Sequence, residues 1–155
     1  MDESVFRERF LTLAGERLQL RLIGTYPADG GALPFYWWEI VLQPENVAVG
    51  KISLRLGHNR HSYYNGNIGY EVDEAHRGHH YALRACRLVL PVAQQHGMTH
   101  LYLTCDHDNI ASYRTMERLG ATLVEEVSPP EDYLYYDEGM PRQRIYRLEI
   151  GAKSD

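Results

Sequence analysis

At 155 residues the chain has the length of one domain of ordinary size, able to bury roughly 70% of the surface its unfolded form exposes. With 44% hydrophobic and 24% charged residues it needs no disulfide, metal or partner simply to fold, and its apolar stretches, such as 88–93, are far shorter than the roughly 20 residues that span a bilayer. A net charge of −5 argues against a nucleic-acid or anionic-membrane binder, which would show a basic excess, and makes a cationic partner electrostatically easier.

The chain begins with Asp2, Glu3, Arg7, Glu8 and Arg9, which rules against the apolar run of a signal peptide, so a cytoplasmic protein is expected. Val5, Phe6, Phe10, Leu11 and Leu13 are spaced for a short amphipathic helix over residues 3–13, ended by Gly15. Leu18, Leu20 and Leu22 alternate with polar residues as in a half-buried strand, which runs to Pro27 and the Asp29-Gly30-Gly31 turn. Residues 35–42 and 47–56 form two more strands joined as a hairpin, with Phe35, Tyr36, Trp37 and Trp38 as core, dimer contact or substrate wall. A polar loop over 57–66 then leads into a strand over 67–72.

The second half changes period. Polar residues three or four apart between His80 and His96, with Leu83, Cys86, Val89 and Val92 between them, describe a helix packed on a sheet, with Pro91 inside it and Gly97 at its end. Residues 99–105 read as a buried strand, and Asp108 as the cap of a second helix over 109–119, closed by Gly120. Residues 121–127 and 144–150 read as strands flanking an acidic, tyrosine-rich segment, 129–142. Cys86 and Cys105 have no CxxC spacing and are expected to be buried thiols. The fold class is α/β (α+β): a central, mixed, mostly antiparallel sheet of six or seven strands with a β-α-β crossover and flanking helices.

The most informative stretch is the strand, tight turn and helix start from Gly69 to Ala82. The first turn of a helix leaves amide hydrogens unpaired and carries about half a positive charge, so a pyrophosphate can bind the backbone of residues 78–83, with Arg77 adding charge. The plainer alternative is a turn before an amphipathic helix. His58 and His61 in one loop, and His76, His79 and His80 in another, raise a metal reading that no HExxH or CxxC spacing supports, so no metal is expected. Glu131, Asp132, Asp137 and Glu138 interleave with Tyr133, Tyr135 and Tyr136, a composition for a cationic amine or simply for a solvated hairpin.

Ile68-Gly69-Tyr70-Glu71-Val72 followed by Arg77-Gly78-His79-His80-Tyr81-Ala82 resembles the GNAT superfamily of acyl-CoA-dependent N-acetyltransferases, whose loop reads RGxGxA after a strand like IGYxV. A second block, Asn109-Ile110-Ala111-Ser112 and then Glu117-Arg118-Leu119-Gly120-Ala121, resembles the family's NxxS/A and E-K-x-G-F. The departures are His80, where the family has its second glycine, and Met116, where many relatives place a tyrosine that protonates the departing thiolate. NxxS without that tyrosine is similar to the branch that acetylates the N-termini of ribosomal proteins.

The resemblance implies one acyl-CoA N-acyltransferase domain over residues 1–155, using acetyl-CoA as cosubstrate and a primary amine as acceptor, small or protein-borne; the net charge and the acidic segment leave room for a cationic one. Arg77, Gly78, His79, His80, Tyr81 and Ala82 would hold the pyrophosphate; backbone near Val72, together with Asn109, would hold pantetheine between two splayed strands. Ser112 would donate to the thiolate, Glu71 would act as base directly or through water, and Asp106 with His107 form a lower-ranked pair. A homodimer is compatible with all of this. The rival reading from another class is an acyl-CoA-binding regulatory module that has lost catalysis.

Overall fold

The computed structural model describes residues 6–151. Among them the expected α/β arrangement holds, with eight strands in place of the expected six or seven and divided between two sheets, five antiparallel strands in one and three in the other. The five are β1 (Thr12–Ala14), β2 (Leu18–Tyr26), β3 (Phe35–Leu42), β4 (Val47–Arg55) and β5 (Ile68–Val72), in chain order. The three are β6 (His100–Asp106), β7 (Thr122–Val127) and β8 (Gln143–Glu149), ordered β6-β8-β7. Helix α1 (Arg60–Asn65) precedes β5, α2 (Tyr81–Gln95) crosses from β5 to β6, and α3 (Ile110–Arg118) joins β6 to β7.

Strand alternation decides what is buried. On β3, Tyr36, Trp38 and Ile40 point inward, with Leu18, Leu20, Ile52 and Leu54 from the neighbouring strands, and α2 covers them with Leu83, Cys86, Val89 and Val92. Phe35 and Trp37 take the opposite face, where Tyr26 stacks on Phe35 at 4.7 Å between centroids and the Lys51 ammonium lies 5.1 Å from the centre of the Trp37 ring. Both cysteines are buried free thiols, and burial pushes Cys86 up to about 12 and Cys105 up to about 11, so each stays protonated.

Three local expectations are corrected. Residues 8–13 form a short 3-10 turn (Glu8–Phe10) and then β1, because pairing of Thr12 with Arg21 and Ala14 with Gln19 outweighs the helical spacing; residues 3–5 of the expected helix lie outside the described residues. The loop 57–66 contains α1, which lacks an apolar stripe but has a reciprocal cap: Asn59 Oδ1 accepts from Ser62 N at 2.8 Å, and Asn59 N donates to Ser62 Oγ at 2.9 Å. The cap of α3 is Asn109 and not Asp108; its side chain accepts from Ser112 N at 3.3 Å. Pro91 lies inside α2, which continues past it to Gln95.

The two sheets are fastened to each other at Asn67, which has no solvent exposure. Its amide nitrogen donates to the carbonyls of Arg55 (3.1 Å) and Gly57 (2.9 Å), while its side-chain oxygen accepts from Tyr102 N (2.9 Å). Its backbone N–H donates to Tyr102 O at 2.6 Å. Past this point β5 and β6 share no ladder. Asn67→Leu keeps the volume and strands the Tyr102 amide and two carbonyls, so chemical denaturation should show a loss of about 3 kcal/mol; a loss below about 0.5 kcal/mol would show the fastening to be incidental.

A second polar relay closes the end of α2. Arg7 N–H donates to Tyr36 Oη (3.0 Å), leaving the phenolic hydrogen for His96 Nε2 (2.8 Å), an arrangement that requires neutral imidazole. Burial, and then the charges of Arg7 and Arg9, pull His96 down to about 4. Its folded pKa lies below the unfolded value of about 6.5, so the unfolded chain binds the proton first, and this contribution is complete above that value and lost as pH falls toward 4. Melting temperature should therefore drop between pH 6.5 and 4, with a shallower slope in His96→Gln; equal slopes in the two proteins would disprove the assignment.

Candidate acyl-CoA site

The register of β4 on β5 sets the wall of the site. Asp73 N donates to Val49 O and Arg55 N to Asn67 O, so the bonded pairs are Val49/Asp73, Lys51/Glu71, Ser53/Gly69 and Arg55/Asn67. The N–H and C=O groups of Ile68, Tyr70 and Val72 consequently point away from β4, toward β6. Gly50 makes the close approach possible, because a Cβ there would sit 2.2 Å from the carbonyl oxygen of Glu71. The result is a strand edge facing a cleft of about 320 Å³, walled by Ile68, Gly69 and Tyr70 on one side and Thr104, Cys105 and Asp106 on the other. Asn109 and Ser112 of α3 also line it.

The loop that carries β5 into α2 has a 3-10 turn (Glu74–His76), an extended Arg77, Gly78 at φ +92°, and His80 at φ 61°, ψ 27°. The first helical hydrogen bond of α2 is Arg84 N to His80 O at 3.0 Å, so the amides before Arg84 have no partner within the helix. No side chain caps them, and no acidic residue occupies the first turn. His80 is thus left-handed and not helical, the conformation a glycine would take at a cost of about 1–2 kcal/mol less. The loop follows a glycine's path although the residue is histidine. Arg77 folds back so that Nε donates to Val72 O at 2.9 Å, tying the loop to the end of the cleft.

Across the cleft, Tyr70 Oη lies 2.9 Å from Ser112 Oγ and 3.2 Å from the Ser112 carbonyl oxygen. Burial holds the Tyr70 phenol well above its ordinary pKa, so it remains a hydrogen-bond donor. Met116 is 1% exposed and belongs to the core. Tyr113 lies under the Arg144 guanidinium, 4.0 Å from its ring centre, and does not line the cleft.

The structure therefore brings Asn109 and Ser112 into the cleft, while Val72 continues the β5 edge beyond Tyr70 and the loop 77–82 follows it, held to Val72 O by Arg77; none of residues 72–82 lines the cleft itself. Glu71 falls elsewhere: alternation puts it on the opposite face of β5 from Tyr70, exposed, and across from Lys51. Tyr133 is buried and Asp132 forms an ion pair with Arg60 at 2.7 Å, while Glu131, Asp132, Asp137 and Glu138 are all exposed in the acidic segment. Among the described residues no three His, Cys, Asp or Glu side chains gather as metal ligands, and no helix is long and apolar enough to cross a membrane. Sequence reasoning passed over Tyr70 and Arg55 as site residues: Tyr70 stands mid-strand in β5, and Arg55 ends β4 opposite Asn67, at the far end of the strand pair from the loop motif.

A family model described as an acetyltransferase (GNAT) domain matches residues 10–122. The chain belongs to the GNAT acetyltransferase family. Among solved structures, a GNAT-family acetyltransferase from Bacillus anthracis is 18% identical over 89% of this chain and 98% of its own, with a TM-score of 0.67. An acetyltransferase from Salmonella typhimurium that modifies the N-terminal serine of ribosomal protein L7/L12 is 21% identical over 77% of this chain and 65% of its own (TM-score 0.56). The microcin C7 self-immunity acetyltransferase MccE, in complex with acetyl-CoA and AMP, is 21% identical over 75% and 61% of the two chains (TM-score 0.58). No curated protein matches the sequence. At these identities the structures share the GNAT fold with this chain.

His80→Gly places the unstrained residue at the left-handed position. It should leave stability unchanged or raised, by up to about 1 kcal/mol, so that any fall in acetyl-CoA affinity reports a direct imidazole contact. A clear loss of stability on denaturation would contradict the left-handed backbone.

Proposed function

We propose that this GNAT chain transfers the acetyl group of acetyl-CoA to a primary amine by direct attack in a ternary complex, and that it does so in the cytoplasm as one domain over residues 1–155. The observation that carries the reading is the edge of β5 at Ile68 and Tyr70, which has no partner strand and faces the cleft, in a strand that leads into a helix start whose first amides have no partner within the helix. The pyrophosphate of the donor sits on the amides of residues 78–82 with Arg77 beside it, and pantetheine runs along the Tyr70–Val72 edge as a substitute strand, past Asn109. An edge N–H polarises the thioester carbonyl and stabilises the oxyanion.

In the reaction the amine nitrogen bonds to the acetyl carbon, the carbon–sulfur bond breaks, and the sulfur leaves as thiolate. Ser112 Oγ donates to that sulfur, and the Tyr70 phenol holds the hydroxyl in place. The proton lost by the amine goes to water in the cleft, with Asp106 on the cleft wall as its nearer base and Glu71, outside the cleft, reached only through solvent. The NxxS form at Asn109 and Ser112, and the shared fold with the Salmonella enzyme that modifies an N-terminal serine, favour the ribosomal-protein branch within the family.

Calorimetry with acetyl-CoA, using Arg77→Glu as the altered loop, should give micromolar binding that falls at least about 10-fold in the variant. Ser112→Ala should keep that affinity and lower kcat for amine acetylation about 100-fold, with a smaller loss in Glu71→Gln. Binding without turnover on any amine would favour the regulatory module; absence of acetyl-CoA binding would refute both.

A further inference from the structure

Arg55 ends β4 on the face away from α2, directly across from Phe35 in register. Its guanidinium lies over the middle of β5: a Cβ on Gly69 would be 3.7 Å from both terminal nitrogens. Nη1 donates to Gly66 O at 3.0 Å, and with the Asn65 amide turned to present its oxygen, Nε and Nη2 reach it at 3.2 and 3.3 Å. Every one of these acceptors is neutral. Arg17, Arg60, Arg142 and Arg147, all substantially exposed, have carboxylate partners, whereas Arg55, withdrawn enough from water for burial to pull its pKa down, has none among the described residues.

The groups that face Arg55 from the adjoining segment are the phenols of Tyr133 and Tyr135. Burial pushes Tyr133 up to about 12, so it brings no negative charge. A half-buried cation without a counter-ion costs free energy that an arriving anion would recover. Arg55 also lines two cavities at once: the β5–β6 cleft, and a neighbouring one of about 240 Å³ whose walls include Phe35, Asn59, His61 and Tyr135. It stands where a passage from that second cavity would meet the mid-strand of β5. The cleft's other wall carries Asp106, whose carboxylate accepts from Gln143 Nε2 at 2.8 Å. One cleft thus presents a cation and an anion on facing walls, a pairing suited to a zwitterion and not to a simple cationic amine.

We propose that Arg55 anchors an oxyanion of the acceptor, so that the amine substrate also carries a carboxylate or a phosphate. The assignment rests on the acetyl-transfer reading and fixes the chemical class of its acceptor. Guanidinium donors match either oxyanion in a planar, two-bond contact, and the inward-facing edge is the part of Arg55 that Gly66 and Asn65 leave open. The acceptor nitrogen would then lie on the Asp106 side, near Ser112.

The test is calorimetric, on the full chain saturated with CoA, titrated with β-alanine, with 2-aminoethyl phosphate and with n-propylamine, for wild type, Arg55→Met and Arg55→Lys. We expect at least one acidic amine to bind at least about 10-fold more tightly than propylamine, with the advantage lost in Arg55→Met and partly regained in Arg55→Lys. Which of the two binds separates carboxylate from phosphate recognition. Failure of both acidic amines to outbind propylamine, or an advantage that survives in a folded Arg55→Met, would overturn the proposal. If CoA itself does not bind in the first titration, the acetyl-transfer reading fails, and the Arg55 assignment fails with it; a protein that binds CoA but shows no anion preference refutes the Arg55 assignment alone.

Discussion

The arrangement depends on one buried amide. Asn67 is where two sheets that share no ladder are joined, and its three side-chain hydrogen bonds all go to backbone: the carbonyls of Arg55 and Gly57 and the amide of Tyr102 in β6. Buried backbone groups must find partners, so a strand that left its neighbour without such a substitute would strand its own amides and carbonyls. Asn67 supplies the substitute at one point only. From there the strands separate, and the separation creates both an accessible strand edge and the space beside it.

An unpaired edge is ordinarily a liability, because it invites pairing with another chain. Here the edge of β5 is turned inward, bounded by β6 and by α3, and Tyr70 reaches over to Ser112 so that the mouth is braced as well as the apex. The same alternation that sends the Ile68, Tyr70 and Val72 backbone groups into the cleft sends the Glu71 side chain out of it. Edge amides, phenol and serine hydroxyl therefore come to one place as a consequence of register, and a slip of one residue would replace them with Gly69 and Glu71.

What the sequence made legible follows from the range of the interactions involved. Strands β2 to β5 and helix α2 were readable because burial of Leu18, Leu20, Tyr36, Trp38, Leu83 and Val89 imposes a local period. The first segment misled because its spacing suits a helix, while its structure is decided by Thr12 and Ala14 pairing with β2. Helix α1 was hidden because its nucleus is the Asn59–Ser62 cap and not an apolar face. At the site, the loop from Arg77 to Ala82 and the pair Asn109 and Ser112 could be read as motifs, since their spacing is local. The company that Tyr70 and Arg55 keep could not, because Tyr70 meets Ser112 across 42 residues of chain and Arg55 faces tyrosines from a distant turn.

Charge shows the same divide between global and local description. A net charge of −5 favours cationic partners at long range, yet acyl-CoA is a polyanion. The conflict dissolves over distance, because exposed charges more than roughly 8–10 Å apart are screened at physiological salt. Within that radius, the start of α2 has no acidic residue in its first turn and has Arg77 beside it, and the floor of the cleft carries Arg55 without a carboxylate. Several of the chain's carboxylates are already engaged elsewhere, with Arg17, Arg60, Arg142 and Arg147. Arg77 at the loop and Arg55 in the cleft each offer a cation. A donor with phosphates at one end and an acceptor with an oxyanion at the other would both find their complement there, with Asp106 between them for the nitrogen that must lose a proton.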